Sequence, residues 1–197
     1  MNKKSVAAST LVVFMSIFFA VIGICFSNFV FKDTKIEVTR VGVASSEGLK
    51  VFEDEYLTKE VTELKLSNME LGIKPATGEL DADTKIPSTI TDQGTSEGYY
   101  STVYVEVEGD FKIVVGSVKI ESKKNMLDVE AERENVFVAL KDVEGAVKSL
   151  ETDGVELANF QDVQGVQKLT FFIWLDALSG DALEGAKISF ELEFVLI

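Results

Sequence analysis

Residues 187–197, Lys-Ile-Ser-Phe-Glu-Leu-Glu-Phe-Val-Leu-Ile, alternate with a period of two: Ile188, Phe190, Leu192, Phe194 and Leu196 fall on one side, Lys187, Ser189, Glu191 and Glu193 on the other. Successive side chains of a β-strand point to opposite faces, so this is a strand with one face in a core and one in water. Just upstream, Leu169-Thr170-Phe171-Phe172-Ile173-Trp174-Leu175 is apolar on both faces, as a central, fully covered strand requires. Ser179-Gly180-Asp181 and Gly185 supply turn residues between the two runs, which together predict a closing hairpin with Trp174 in the core.

Working outward, the same period recurs. Ile36, Val38, Val41 and Val43 predict a first strand, and Val61–Leu66 a second, extended by Leu71 and Ile73. The mixed, charged Ser45–Lys59 lies between them, with Gly48 as a turn. Tyr100–Glu108 alternates cleanly, Gly109-Asp110 reads as a turn, and Phe111–Ile120 follows, the pattern of a β-hairpin. Val136–Leu140 predicts another strand. Residues 142–160 carry the main helical spacing, through Val143, Val147, Leu150, Val155, Leu157 and Phe160, limited by Gly145 and Gly154. Residues 74–99 hold both prolines of the chain with many Gly, Ser, Thr and Asp, and predict a long irregular loop. Seven or eight strands of this kind predict an all-β fold: an antiparallel β-sandwich, jelly-roll or immunoglobulin-like, with one short helical segment.

The N-terminus has a different composition. After Lys3 and Lys4, Val6–Phe31 contains no charged residue. At about 1.5 Å per residue a helix of that length exceeds the ~30 Å hydrocarbon core. The two lysines predict a cytoplasmic N-terminus, and residues 1–31 are expected to be a signal peptide or a signal-anchor helix preceding an extracytoplasmic domain, 32–197. Weak cleavage sites fall at Val21-Ile22-Gly23 and Cys25-Phe26-Ser27, while Phe29, Val30 and Phe31 continue the apolar run past both. A lipid-modified Cys25 is disfavoured by Ile24 where a small residue is required, and a pilin-type helix by the lack of an acidic residue before Asp33.

Residues 1–31 hold two of the 19 basic residues and none of the 33 acidic ones, so 17 basic groups face 33 acidic ones beyond Phe31, a net charge of −16. Such a surface repels nucleic acid and anionic lipid, and no nucleic-acid partner is expected. The chain has no histidine and a single cysteine, Cys25. Imidazole base catalysis, Ser-His-Asp and Cys-His arrangements and His-ligated zinc are excluded, and the exported part holds no disulfide.

The remaining candidates are carboxylates and tyrosines. Asp81, Asp83, Asp92, Asp176 and Asp181 are calcium candidates, because oxygen-rich loops suit that ion, with Glu97 and Glu184 nearby. The spacing after Asp81-Ala82-Asp83 lacks the glycine of an EF-hand, and solvated loops are the plainer expectation. No cofactor is otherwise expected. Tyr99, Tyr100 and Tyr104 form either a binding platform or a cross-strand aromatic cluster. Glu132-Arg133-Glu134-Asn135 reads as a solvated charged turn, with a buried Arg–Glu pair as the alternative.

The stretch Leu169–Asp176, followed by Gly185-Ala186-Lys187-Ile188-Ser189-Phe190-Glu191-Leu192, resembles the end of secreted β-sandwich proteins related to TasA and camelysin. Their last strands run through Trp-Leu-Asp or Trp-Leu-Glu, an acidic loop and a Gly-Ala or Gly-Gly turn, and Phe31-Lys32-Asp33 resembles the start of their mature chains. A glycine often follows the Trp-Leu-Asp triplet there, and this chain has Ala177. The resemblance implies an extracellular matrix or surface protein, of which some members assemble into fibres by strand exchange. The metalloprotease label of some camelysin-like proteins does not carry over, because no His-Glu-x-x-His element exists here. The expectation is a cell-surface or secreted protein without catalytic activity, with self-assembly or an envelope protein as partner and the membrane as a further partner if the helix is uncut. The alternatives are a small hydrolase using acidic residues and a membrane-anchored subunit of an envelope complex.

Overall fold

β-Branched and aromatic residues two apart favour extended chain, because alternate side chains can then share one apolar face. The computed structural model describes residues 36–66, 73, 75–76, 86–87, 90, 98–121, 131–141, 143–177, 179 and 183–197. The chain divides into two units, Met1–Asp33 and Thr34–Ile197, and every described residue belongs to the second. Among the described residues there are nine strands: β1 (Ile36–Ser45), β2 (Lys50–Phe52), β3 (Pro75–Ala76), β4 (Gly98–Val115), β5 (Lys119–Glu121), β6 (Val136–Leu140), β7 (Val147–Ser149), β8 (Val155–Asp176) and β9 (Ala186–Leu196). No helix among them is long and apolar enough to cross a membrane. The anchor or signal expected at residues 1–31 lies outside the described residues.

The sheet runs in the order β1-β9-β4-β8-β6-β7, with β2 beside β4, β3 beside β8 and β5 beside β9. It is mixed, which corrects the expected purely antiparallel arrangement: β1 runs parallel to β9 and β3 parallel to β8. β1 and β9 come from opposite ends of the domain, so no short turn forces them antiparallel, and each brings an alternating apolar face to the same core. The last two strands do not form the expected hairpin either. β8 and β9 lie on opposite sides of β4, and β4 pairs with both. The apolar faces were legible in the sequence, but the partner of each strand was not.

The hairpin expected at Gly109-Asp110 is absent. β4 continues through these residues, paired with β8 from Gly98↔Trp174 to Val115↔Val155. Gly109 at φ 119° and Asp162 at φ 52° place a β-bulge there, and the Asp162 N–H donates to Asp110 Oδ1 at 2.7 Å. The turn-forming residues are used to bend a long two-stranded ribbon rather than to reverse it. The helix expected within 142–160 is also absent. Val147–Ser149 and Val155–Phe160 are strand, and Gly145 (φ 73°) and Gly154 (φ 76°) occupy turns. The described helical turn is instead a short 3-10 segment, Ala131–Asn135. Val61–Leu66 is not a continuous strand but touches the sheet through the Phe52↔Glu60 and Gly42↔Glu63 bridges, with Ile73 bridging Ile36 further on. Leu71 lies outside the described residues.

Two apolar clusters explain why Leu169–Leu175 is hydrophobic on both faces. Leu169, Phe171, Ile173 and Leu175 enter the main core with Val103, Val105, Phe111, Ile113, Ile188, Leu192 and Phe194. Phe172 and Trp174 point the other way, into a smaller cluster with Ala139, Ala76, Ile86 and Ile90. The Pro- and Gly-rich loop thus contributes apolar residues that cover the second face of the sheet. Phe171 and Phe194 meet edge to face at 6.1 Å, and Phe137 stacks on Trp174 at 5.5 Å. Aromatic contacts of this kind contribute about 0.5–1.5 kcal/mol beyond the area they bury.

Candidate functional site

After β2 the chain turns through Glu53-Asp54-Glu55-Tyr56-Leu57-Thr58-Lys59 and returns at Glu60, which bridges Phe52. One carboxylate organises this tip. Asp54 Oδ1 accepts from the backbone N–H of Tyr56 (3.0 Å) and Thr58 (3.3 Å), and Oδ2 accepts from the Thr58 hydroxyl (2.9 Å) and the Lys59 N–H (3.1 Å). Desolvation alone would push the Asp54 carboxyl up, but these hydrogen bonds, led by Thr58, hold it below its ordinary range. Leu57 sits at φ 55°, a left-handed conformation that a leucine adopts at a cost. Tyr56, beside it, is 77% exposed, and no other large apolar or aromatic residue described is as exposed.

Beside this tip lies an open groove of about 340 Å³ lined by Glu53, Val61, Lys65, Leu66 and the β4 residues Tyr100–Val103. Glu53 ties it to the tip: its carboxylate accepts from Lys59 Nζ and lies 3.6 Å from Lys65 Nζ. The hydrogen bond from Lys59 holds the Glu53 carboxyl below the ordinary carboxylate range. The floor is apolar, through Val61, Leu66 and Val103, and Tyr100, Thr102, Glu53 and Lys65 add polar groups around it. Such a mixture suits binding of an amphipathic ligand. Ser101 in that lining is buried, and the chain has no histidine that could act on it as an imidazole base. A smaller trough of about 220 Å³, on the β1–β9–β5 side, is floored by Gly42, Ser117 and Ser189 between Arg40, Lys119 and Glu191.

The sequence matches no known protein family and no curated protein.

The three tyrosines do not form one platform. Tyr99 is fully buried in the main core. Tyr100 turns to the opposite face, tilted against Phe172 at 6.5 Å, and Tyr104 pairs across the sheet with Lys168 and Phe52. Between Tyr100 and Tyr104, the Thr102 and Thr170 hydroxyls hydrogen-bond at 3.0 Å. Of the calcium candidates, Asp81, Asp83, Asp92 and Asp181 lie outside the described residues. Asp176 ends β8, paired with Ala76. Among the described residues no group of three or more Asp, Glu or Cys is placed to hold a metal ion.

The charged turn is buried at Arg133 rather than solvated. Arg133, expected in a solvated turn, is 9% exposed. Its Nε donates to Leu150 O at 2.9 Å and its guanidinium to Asp153 Oδ1 at 2.6 Å, where the Val118 N–H also donates at 3.1 Å. An aspartate twenty residues away is thus one of its partners. The guanidinium hydrogen bond, followed by that from Val118, holds the Asp153 carboxyl below its ordinary range. This cluster ties the 3-10 turn, the turn after β7 and the link between β4 and β5 into one joint, and it is structural.

Proposed function

We propose that this is an exported cell-surface or extracellular-matrix protein whose role is structural or binding, without catalysis. The observation that carries the reading is the charge-free run Val6–Phe31 behind Lys3 and Lys4, followed by a strongly acidic β domain with no histidine. The groove beside β2 supports a binding role, since its lining offers one carboxylate, one ammonium and an apolar floor, with no activated nucleophile among the described residues. A hydrolase relying on two carboxylates finds no support there, because Glu53 is the only acidic residue among the described lining. We also infer that the mixed sheet folds back on itself as a sandwich. The contact between Phe171 and Phe194 supports this, since it joins β8 and β9, which are not paired neighbours.

Processing separates two forms of the proposal. A cut near Ser27 frees Asn28-Phe29-Val30-Phe31 as an apolar leader suited to self-assembly, the behaviour the TasA-like resemblance implies. An uncut chain keeps one domain tethered per helix, as a subunit of an envelope complex, and the continuing apolar residues after Ser27 favour this form. Mass spectrometry of the protein recovered separately from membranes and medium tests the proposal. A start near Asn28 in the medium supports the matrix form, and an intact N-terminus in membranes supports the tethered form. Intact chain confined to the soluble cytoplasm overturns both.

A further inference from the structure

We infer that the outer edge of β8 pairs with the same edge of a second copy of the chain, antiparallel about a two-fold axis at Gly165. This goes beyond the export reading and does not depend on it, since the contact joins folded domains and uses neither the leader 28–31 nor its processing. β4 flanks β8 from Val155 to Trp174, but on the other side β6 covers only residues 171–175. Among the described residues no strand lies beside residues 157–169 on that second side. The Thr170 carbonyl faces that side, where it accepts from the Lys141 N–H at 2.9 Å. The register with β4 is unbroken from Val163 to Trp174. With a period of two, the main-chain groups of Gln164, Val166 and Lys168 therefore face the same way as those of Thr170, with no strand to receive them. Gln164, Gly165, Val166 and Lys168 are all exposed. A row of open N–H and C=O groups is a template for another strand.

The residues along the edge select the strand that fits it. Residues 162–168, Asp-Val-Gln-Gly-Val-Gln-Lys, are complementary to themselves when run in reverse. About Gly165, Gln164 falls opposite the second copy's Val166, a position where an antiparallel pair exchanges both N–H···O bonds. Asp162 falls opposite the second copy's Lys168 at each end, so unlike charges meet and like charges do not. Neither of these side chains makes an ion pair among the described residues of its own chain. Gly165 meets its own copy at the position where paired backbones come closest, about 4.5 Å between Cα atoms. Its φ of 86° favours glycine by itself, and the bare Cα also leaves that approach open. Val166, 44% exposed, is covered in the same contact. The charge of −16 beyond Phe31 opposes the approach, so the pair is weak at low salt and firmer near about 150 mM.

The test is sedimentation equilibrium of the full-length chain in a non-ionic detergent at about 150 mM salt, with amide exchange followed at low and at high protein concentration. The expected result is reversible dimerisation that slows exchange at Gln164, Val166 and Lys168. Lys168→Asp sets like charges opposite each other at both ends and should weaken dimerisation about fivefold or more, and adding Asp162→Lys should restore it to within about twofold. Lys119→Asp on β5 makes the same change in charge away from the edge and should leave dimerisation within about twofold of the wild type. A chain that stays monomeric overturns the inference, as does exchange at those three amides that ignores concentration. Dimerisation unchanged by Lys168→Asp also overturns it, because the contact then lies elsewhere, as it would if residues 1–31 made it. A loss in Lys119→Asp equal to that in Lys168→Asp, or no recovery in the double variant, overturns it as well, since the effect would then be diffuse charge rather than a paired edge.

Discussion

Arg133 shows how much one side chain can hold together. It satisfies the Leu150 carbonyl and draws Asp153 into a position where that carboxylate also receives the Val118 N–H. Arg133→Met keeps the stem but takes the guanidinium donor from the Leu150 carbonyl and the Asp153 carboxylate, which keeps the Val118 N–H, and it should lower unfolding free energy by about 2–3 kcal/mol in a denaturant titration. Asp153 sets a pH signature with a definite sign. Its folded carboxyl is held below the ordinary 3.8, so its contribution is complete above the pH where the unfolded carboxyl titrates. That contribution fades as pH falls through the folded value. Asp153→Asn should therefore flatten the decline of stability below about pH 4 while leaving the slope near neutrality unchanged. Asp54 acts more locally: Asp54→Ala should speed amide exchange at Tyr56, Thr58 and Lys59, whose N–H groups it accepts, without moving the global unfolding midpoint.

The elements divide into those that periodicity decides and those that pairing decides. β1 and β9 were legible because each alternates against a single core, and the apolar runs Val136–Leu140 and Leu169–Leu175 announced strands covered on both faces. Partners were not legible, because an apolar face carries no record of which neighbour lies beside it. Gly109-Asp110 is the clearest case, since a bulge and a hairpin turn ask for the same residues: a glycine free at positive φ and an aspartate able to accept a backbone N–H. The bulge reading makes a prediction the hairpin does not. In Gly109→Ala the added Cβ meets no atom within 4 Å, so the cost should come from backbone strain alone, about 1–3 kcal/mol, with residues on both sides of position 109 remaining protected from exchange. The candidate site was less legible still. Glu53 and Tyr56 fall in a stretch whose sequence reads only as charged and mixed, Lys65 in an expected strand, and what gathers them is the turn fixed by Asp54.

Across the whole molecule, a disulfide-free core and a heavy negative charge work against each other. Deep burial of Phe111, Phe171, Ile113 and Phe194 supplies the cohesion, and Phe194→Ala should cost about 3–5 kcal/mol because two β-strands and the Phe171 ring close around it. The net charge of −16 beyond Phe31 opposes compaction, so raising salt from about 10 to 150 mM should raise the thermal midpoint by screening that repulsion. The same charge opposes the approach of copies in solution and gives any assembly the same salt dependence. The proposed function rests on the domain being displayed outside the cell. Brief proteolysis of intact cells producing the full chain, with a cytoplasmic marker as control, measures this most directly. The account predicts that peptides from residues 36–197 are released, or lost from the cell-bound protein, while the marker stays whole. Peptides that form only after the cells are broken would contradict it.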